Sequence, residues 1–305
     1  MEEKGMREME EEQIQQEQAS EVSVETEKKS RGWKAIVGGF FITVLFLLIQ
    51  SVISVIGSSV ATVAYMNQNG GELTSQEELA AYLLNSDYMT IILFVAILVT
   101  GVIGCLWYKF GYVKKYTKDD RLALKGKMIN RKALGTLVLA GIGCYSLALL
   151  IASVIAAVSP AAIDNFNSMM GSVTGGNAFL SFITVVILAP IAEEVIFRGI
   201  IFRKLLKTNT AAVAIVAQAL LFAFYHFNIV QGIYVLPIAL VLGYTAYKFQ
   251  SVLPGMLIHA VNNLMPTLVV LLPEALQGIV TFIIAALVCF GAIYMINKER
   301  QDKVC

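Results

Sequence analysis

From Gly32 onward the chain alternates long apolar runs with short polar connections. The runs predict eight helices, at about 35–66, 89–108, 134–158, 178–206, 210–227, 230–248, 252–272 and 275–296. Crossing the hydrocarbon of a bilayer takes roughly 20 mostly apolar residues per helix, so these runs read as membrane spans. The stretch before them, residues 1–30, is dense in Glu, Gln and Lys with no apolar face at helical spacing, and reads as a disordered acidic tail. The expected architecture is an all-α polytopic membrane bundle. It divides into that tail, three N-terminal transmembrane helices over 31–177, a core over 178–273, and a last helix with its tail over 274–305.

Composition sharpens this picture. Of 305 residues, 57% are hydrophobic and only 15% charged, against about a quarter charged in ordinary soluble domains, which excludes a soluble globular enzyme. Ten of the 22 acidic residues precede Arg31, so the membrane part is poorer still in charge. A signal peptide would place basic residues before a short apolar run, whereas an acidic, Gln-rich stretch precedes the first span here, which therefore reads as a retained anchor. Cys105, Cys144, Cys289 and Cys305 have neither metal-ligand spacing nor the pattern of a disulfide framework. No basic recognition element for nucleic acid is present, and membrane lipids are the surroundings to expect.

Positive residues concentrate in cytoplasmic loops, and here they alternate along the chain. Lys28, Lys29, Arg31 and Lys34 precede the first span, while 67–88 has no Lys or Arg. Eight lie between Lys114 and Lys132, and 159–177 has none. Arg203, Lys204 and Lys207 end the fourth span, Lys248 ends the sixth, and Lys298, Arg300 and Lys303 close the chain. The alternation predicts an even number of spans with both termini cytoplasmic.

Ionisable groups cost at least ~2.5 to 3.5 kcal/mol each at the middle of a membrane helix, so they mark candidate sites. They are Glu193, Glu194 and Arg198 on the fourth helix, His226 on the fifth and His259 on the seventh, and the chain has no other histidine. Glu194 and Arg198, four apart, can pair along one stripe, which offsets the cost of burying both. Glu193, rotated by about 100°, lacks that partner and is the freer carboxylate, a candidate general base. If the chain turns back at 208–210, Glu193 and His226 come to similar depth, and Pro190 can kink the helix beside them. His259 and Asn263 share a face. His259 lies only eight positions beyond Ser251, shallower than His226 unless the 206–211 hairpin protrudes.

The segments Glu193-Glu194-Val-Ile-Phe-Arg198, Phe222-Ala-Phe-Tyr-His226 and His259-Ala-Val-Asn-Asn263 resemble, in order and on successive helices, the EExxxR, FxxxH and HxxxN motifs of the CPBP family. These are the CAAX proteases and bacteriocin-processing (Abi) intramembrane endopeptidases. The resemblance covers about 178–273. It implies that Glu193 activates water with help from His226, that His259 and Asn263 stabilise an oxyanion, and that Glu194, Arg198 and Phe222 support the site. It further implies a membrane-associated, lipid-anchored or prenylated peptide substrate. Members are often named metalloproteases, and Glu193, His226 and His259 are candidate Zn²⁺ ligands. The spacing is not HExxH and a glutamate-base mechanism requires no metal, so the favoured reading has no cofactor. A proton- or cation-coupled transporter and a non-catalytic immunity or scaffold protein are the alternative functions.

Overall fold

A computed structural model describes residues 2–72, 75–113 and 131–271, with isolated positions between 273 and 294. Every element among the described residues is helical. We number the helices α1 (Glu2–Gln68), α2 (Gln76–Asn85), α3 (Tyr88–Val113), α4 (Arg131–Val158) and α5 (Pro160–Thr174), followed by α6 (Ala178–Leu206), α7 (Ala211–Tyr225), α8 (Ile229–Phe249) and α9 (Leu253–Val269).

Seven of these follow the apolar runs, with ends shifted by a few residues. The eighth expected helix, 275–296, falls largely outside the described residues. The structure differs from the sequence reading at three other places. First, α1 continues back to Glu2 in place of a disordered tail. Glu, Gln, Lys, Arg and Met are strong helix formers, the tail contains no proline, and extending an existing helix needs no new nucleus. Second, the connections at 67–88 and 159–177 contain α2 and α5. Ser75 caps α2 by accepting from the Glu78 N–H, and Pro160 starts α5 at a position where its missing donor costs nothing. Third, among the described residues only α1, α3, α4, α6 and α8 are by themselves long and apolar enough to cross a membrane. At 15 and 17 residues, α7 and α9 are shorter than the roughly 20 of a typical span, and other helices are their partners.

Lipid surrounds such a bundle with apolar tails, so close packing rather than water exclusion joins the helices. Gly101 and Gly104 of α3 face Ala192 and Ile196 of α6, and Gly199 of α6 in turn lies against the Tyr108 ring. Gly39 of α1 meets Ile201 of α6 and Leu221 of α7, and the Asn209 amide between those helices donates to the Gly32 carbonyl at 3.3 Å. A side chain at Gly141 of α4 would sit 2.6 Å from Val261 and 2.8 Å from the Ile258 carbonyl, so α4 and α9 touch almost backbone to backbone. That contact holds the helix carrying His259 and Asn263 in place.

Gly141→Ala should therefore lower thermal stability in detergent by about 1–3 kcal/mol, the usual cost of overpacking. Gly135→Ala, on the same helix with nothing within 4 Å, should be neutral or gain up to about 1 kcal/mol. Paired melting curves check both values.

Candidate active site

Helix α6 is not a uniform α-helix. Residues Ile183–Leu188 and Val195–Ile201 are π-helical, and the Ala189–Glu194 segment between them carries the two carboxylates. Pro190 offers no N–H, and its ring crowds the carbonyl four residues back, so the chain ahead of it widens. The Ala189 N–H reaches back five residues to the Thr184 carbonyl. π-Turns inside helices are frequent at functional sites because they re-aim side chains.

Behind the site lies a closed ion pair. Arg198 Nη1 donates to Glu194 Oε1 at 2.8 Å, and both side chains are fully buried. Arg198 Nη2 donates to the Ala239 carbonyl at 3.2 Å, and the guanidinium lies 4.6 Å from the centroid of the Phe222 ring. Gln218, also buried, donates to the same Ala239 carbonyl at 2.9 Å. On the far side of the carboxylate, a Cβ at Gly255 would come within 2.5 Å of Glu194 Oε2, so only glycine lets α9 approach this closely.

That approach delivers His259. Its Nδ1 lies 3.2 Å from Glu194 Oε1 and its Nε2 lies 3.7 Å from Glu193 Oε2, so the ring bridges the two carboxylates. The Oε2 atoms of both glutamates make no hydrogen bond among the described residues, but Glu194 Oε1 is shared by Arg198 and His259 while the nearest charged partner of Glu193 is His259 Nε2 at 3.7 Å, so Glu193 is the freer of the pair. The depth mismatch of the sequence reading disappears because the reference levels differ. Arg203, not the 208–210 turn, is level with the start of α9, since its guanidinium reaches the Gln250 carbonyl at 3.5 Å. Glu193 precedes Arg203 by ten residues and His259 follows Gln250 by nine, so at 1.5 Å per residue they lie within about 2 Å of one height. The 206–211 hairpin projects past that level.

His226 caps the C-terminus of α7 rather than lying within it. Phe227 then adopts φ 50°, a left-handed conformation that a bulky residue takes at a cost of roughly 1–2 kcal/mol, and α8 begins after one more residue. The Phe222 carbonyl, 2.9 Å away, can only accept, so His226 Nδ1 carries the proton and Nε2 holds the lone pair of the neutral ring. Phe222 packs edge-on to both histidines, with centroids at 4.7 Å for His226 and 5.9 Å for His259.

Glu193, Phe222, His226, His259 and Asn263 line one cavity of about 280 Å³. Asn263 is partly engaged. Its amide donates to the Val185 carbonyl at 2.9 Å, and its oxygen accepts from Asn262 at 2.9 Å. One amide N–H is left for a ligand. His259 is thus held by carboxylates and Asn263 by the backbone of the first π-turn. Glu194 and Arg198 lie behind the cavity wall. A separate recess on their other side, toward Arg203 and Gln250, measures only about 20 Å³.

Sequence reasoning passed over Gln218, Asn262 and Gly255. Gln218 is the one polar residue of α7 and was legible as such, but a search for ionisable groups skips it. Nothing in the local sequence marks Gly255.

Among the described residues no set of three His, Cys, Asp or Glu side chains is arranged to hold a metal ion. The nitrogens of His259 face the two carboxylates, and His226 spends Nδ1 on a backbone carbonyl.

Removing Arg198 would strand a buried carboxylate that keeps only His259. Arg198→Ala should cost about 3–5 kcal/mol of stability, whereas substituting a buried pair as a whole is far milder. Thermal unfolding of Arg198→Ala beside the double variant with Glu194→Gln measures this difference.

Comparison with known proteins adds an independent finding. Residues 175–265 match the family model described as type II CAAX prenyl endopeptidase Rce1-like, a segment that holds all three motifs. No curated protein and no solved structure matches the chain. The matched segment contains Glu193, Glu194, Arg198, Phe222, His226, His259 and Asn263, and with its apolar helices the chain is an integral membrane protein in which this segment is similar to the Rce1-like CAAX endopeptidases.

Proposed function

We propose that the protein is an intramembrane endopeptidase in which Glu193 activates water to cleave a peptide bond of a membrane-associated substrate. The observation that carries this reading is the contrast between the two adjacent glutamates. Glu194 is spent on Arg198 and His259 and lies outside the cavity lining, while Glu193, with no charged partner nearer than His259 Nε2 at 3.7 Å, lines the cavity together with His226. A base needs a free lone pair and a place beside it for water.

The chemistry follows from the donors and acceptors. Water seated between the Glu193 carboxylate and His226 Nε2 gives each a hydrogen bond, leaving an oxygen lone pair for the scissile carbonyl. Glu193 takes one proton as the carbon–oxygen bond forms, and the carbonyl oxygen becomes an oxyanion. On this reading the remaining amide N–H of Asn263 donates to it, with the His259 ring beside it. When the tetrahedral intermediate collapses, Glu193 returns its proton to the departing nitrogen and the carbon–nitrogen bond breaks. Phe222 holds both rings, and Arg198 keeps Glu194 from competing for the proton. No step needs a metal. Both termini lie in the cytoplasm on this reading, as the alternation of Lys and Arg indicates.

Comparative membrane proteomics of the wild type and Glu193→Gln tests the proposal. Cleavage products present with the wild type should vanish with the variant, which should remain folded. Activity that persists in Glu193→Gln overturns the assignment. Exhaustive chelation should leave cleavage unchanged, and a loss restored by Zn²⁺ would move Glu193, His226 and His259 to ligand roles.

Asn263→Ala should lower kcat by about 100- to 1,000-fold, the usual effect of losing one oxyanion donor, with KM nearly constant. If Asn263 serves only to bond the Val185 carbonyl, the variant loses stability and keeps its turnover per folded molecule. Measuring kcat on the folded fraction separates the two.

A further inference from the structure

The cavity and the cations occupy opposite ends of the bundle. At one end, contacts bring the basic residues together: Arg203 reaches the Gln250 carbonyl and lies 5.7 Å from the Tyr108 ring centroid, and Lys207 lies 5.6 Å from that of Tyr112. Asn209, at the tip of the adjoining hairpin, bonds the Gly32 carbonyl, between Arg31 and Lys34. Lys248, near the end of α8, belongs to the same level. The cavity is built from the other halves of the same helices. Leu93 and Ile97 come from the start of α3, Thr184 from the start of α6, and Tyr234 from the first half of α8. Its outermost wall is Met169 and Met170 of α5.

Helix α5 belongs to the cation-free end. Phe166 sits edge-on to Tyr234 at 5.8 Å, and the Asn228 amide reaches the Met169 sulfur at 3.8 Å. The segments at that end, 67–88, 159–177 and 226–232, contain no Lys or Arg. Toward the cationic end the way is filled by the Glu194–Arg198 pair and by Phe197, Phe202 and Leu205, all buried. A positive cytoplasmic face then puts the mouth of the cavity on the other side.

We infer that the site takes its substrate from the extracytoplasmic side, as an extended segment of a membrane-anchored polypeptide that passes α5 at Met169 and Met170 to reach Glu193. This rests on the proteolytic reading for the word substrate and on geometry alone for the direction. A prenylated C-terminal tail presented in the cytosol would meet the closed end instead.

The test uses the full chain in membrane vesicles of both orientations. A charged, membrane-impermeant methanethiosulfonate is added to Met170→Cys, at the mouth, and to Lys207→Cys, at the cationic end, and modification at the introduced residue is read by mass spectrometry. Met170→Cys should react only in right-side-out vesicles and Lys207→Cys only in inside-out ones. Reaction of both from the same side, reversal of the pattern, or no reaction of Met170→Cys in either orientation overturns the direction. In parallel, termini that depend on Glu193 should map to extracytoplasmic or outer-leaflet parts of their parent proteins, and termini on cytoplasmic tails overturn the inference. If labelling is as expected and no Glu193-dependent termini exist, the proteolytic reading falls and the substrate with it, while the outward opening stands.

Discussion

The Glu194–Arg198 ion pair is the constraint on which the rest of this structure depends. Removing two charges from water costs several kcal/mol per ion even after relaxation, and attraction repays it only if the remaining donors and acceptors are also satisfied. Neighbouring helices answer part of that demand, while Arg198 Nε and Glu194 Oε2 have no hydrogen-bond partner among the described residues. α8 contributes the Ala239 carbonyl, α7 the face of Phe222, and α9 the Nδ1 of His259. Three helices are thereby registered against α6 by one buried guanidinium and one buried carboxylate. The glycine at 255 is the geometric condition for this, since a Cβ there would collide with the carboxylate.

The same constraint explains why two adjacent glutamates have different duties. Neighbours on a helix differ by about 100°, so a single arginine four residues on can serve only one of them. The carboxylate left over has no arginine of its own and lines the cavity. The π-turns on either side set how the pair faces α9, and Pro190 supplies a physical cause for the first of them. His259, between both carboxylates, couples the structural pair to the site. Gln218 extends the coupling outward, because it shares the Ala239 carbonyl with Arg198 and so fixes the position of a backbone group that the pair requires.

Much of this was legible in the sequence, for identifiable reasons. Helical periodicity alone predicts the Glu194–Arg198 pair and separates Glu193 from it, and the scarcity of ionisable residues in apolar runs singles out both histidines. What was not legible depends on backbone geometry that no residue type encodes. The depth of His259 could not be counted from Ser251, because the 206–211 hairpin projects beyond the level where α9 starts. His226 lies at a helix end only because Phe227 turns left-handed, and a phenylalanine gives no warning of that. Asn263 carries the right chemistry, yet its bond to Val185 depends on where the first π-turn places that carbonyl. In the stretch before Arg31 two signals compete, because high charge argues for disorder while the same residue types favour helix once a helix is present to extend.

Hydrolysis within a membrane must bring water and a peptide backbone into surroundings that supply few hydrogen bonds. An extended strand entering lipid leaves its N–H and C=O groups unpaired, at several kcal/mol each, unless the protein pairs them. The cavity carries most of its polar side chains near its inner end, Thr184, Glu193, His226, His259, Asn262 and Asn263, while Thr174, Gln231 and Tyr234 stand among the apolar Leu93, Ile97, Met169 and Ile238 elsewhere in its lining. On the proteolytic reading proposed above, a backbone travelling inward would pass few partners before it reached the denser set at the inner end, and that difference would favour residence of a scissile bond beside Glu193. A sealed cationic end completes the arrangement, since a second opening there would expose the ion pair and release the register of α7, α8 and α9 that positions every group in the site.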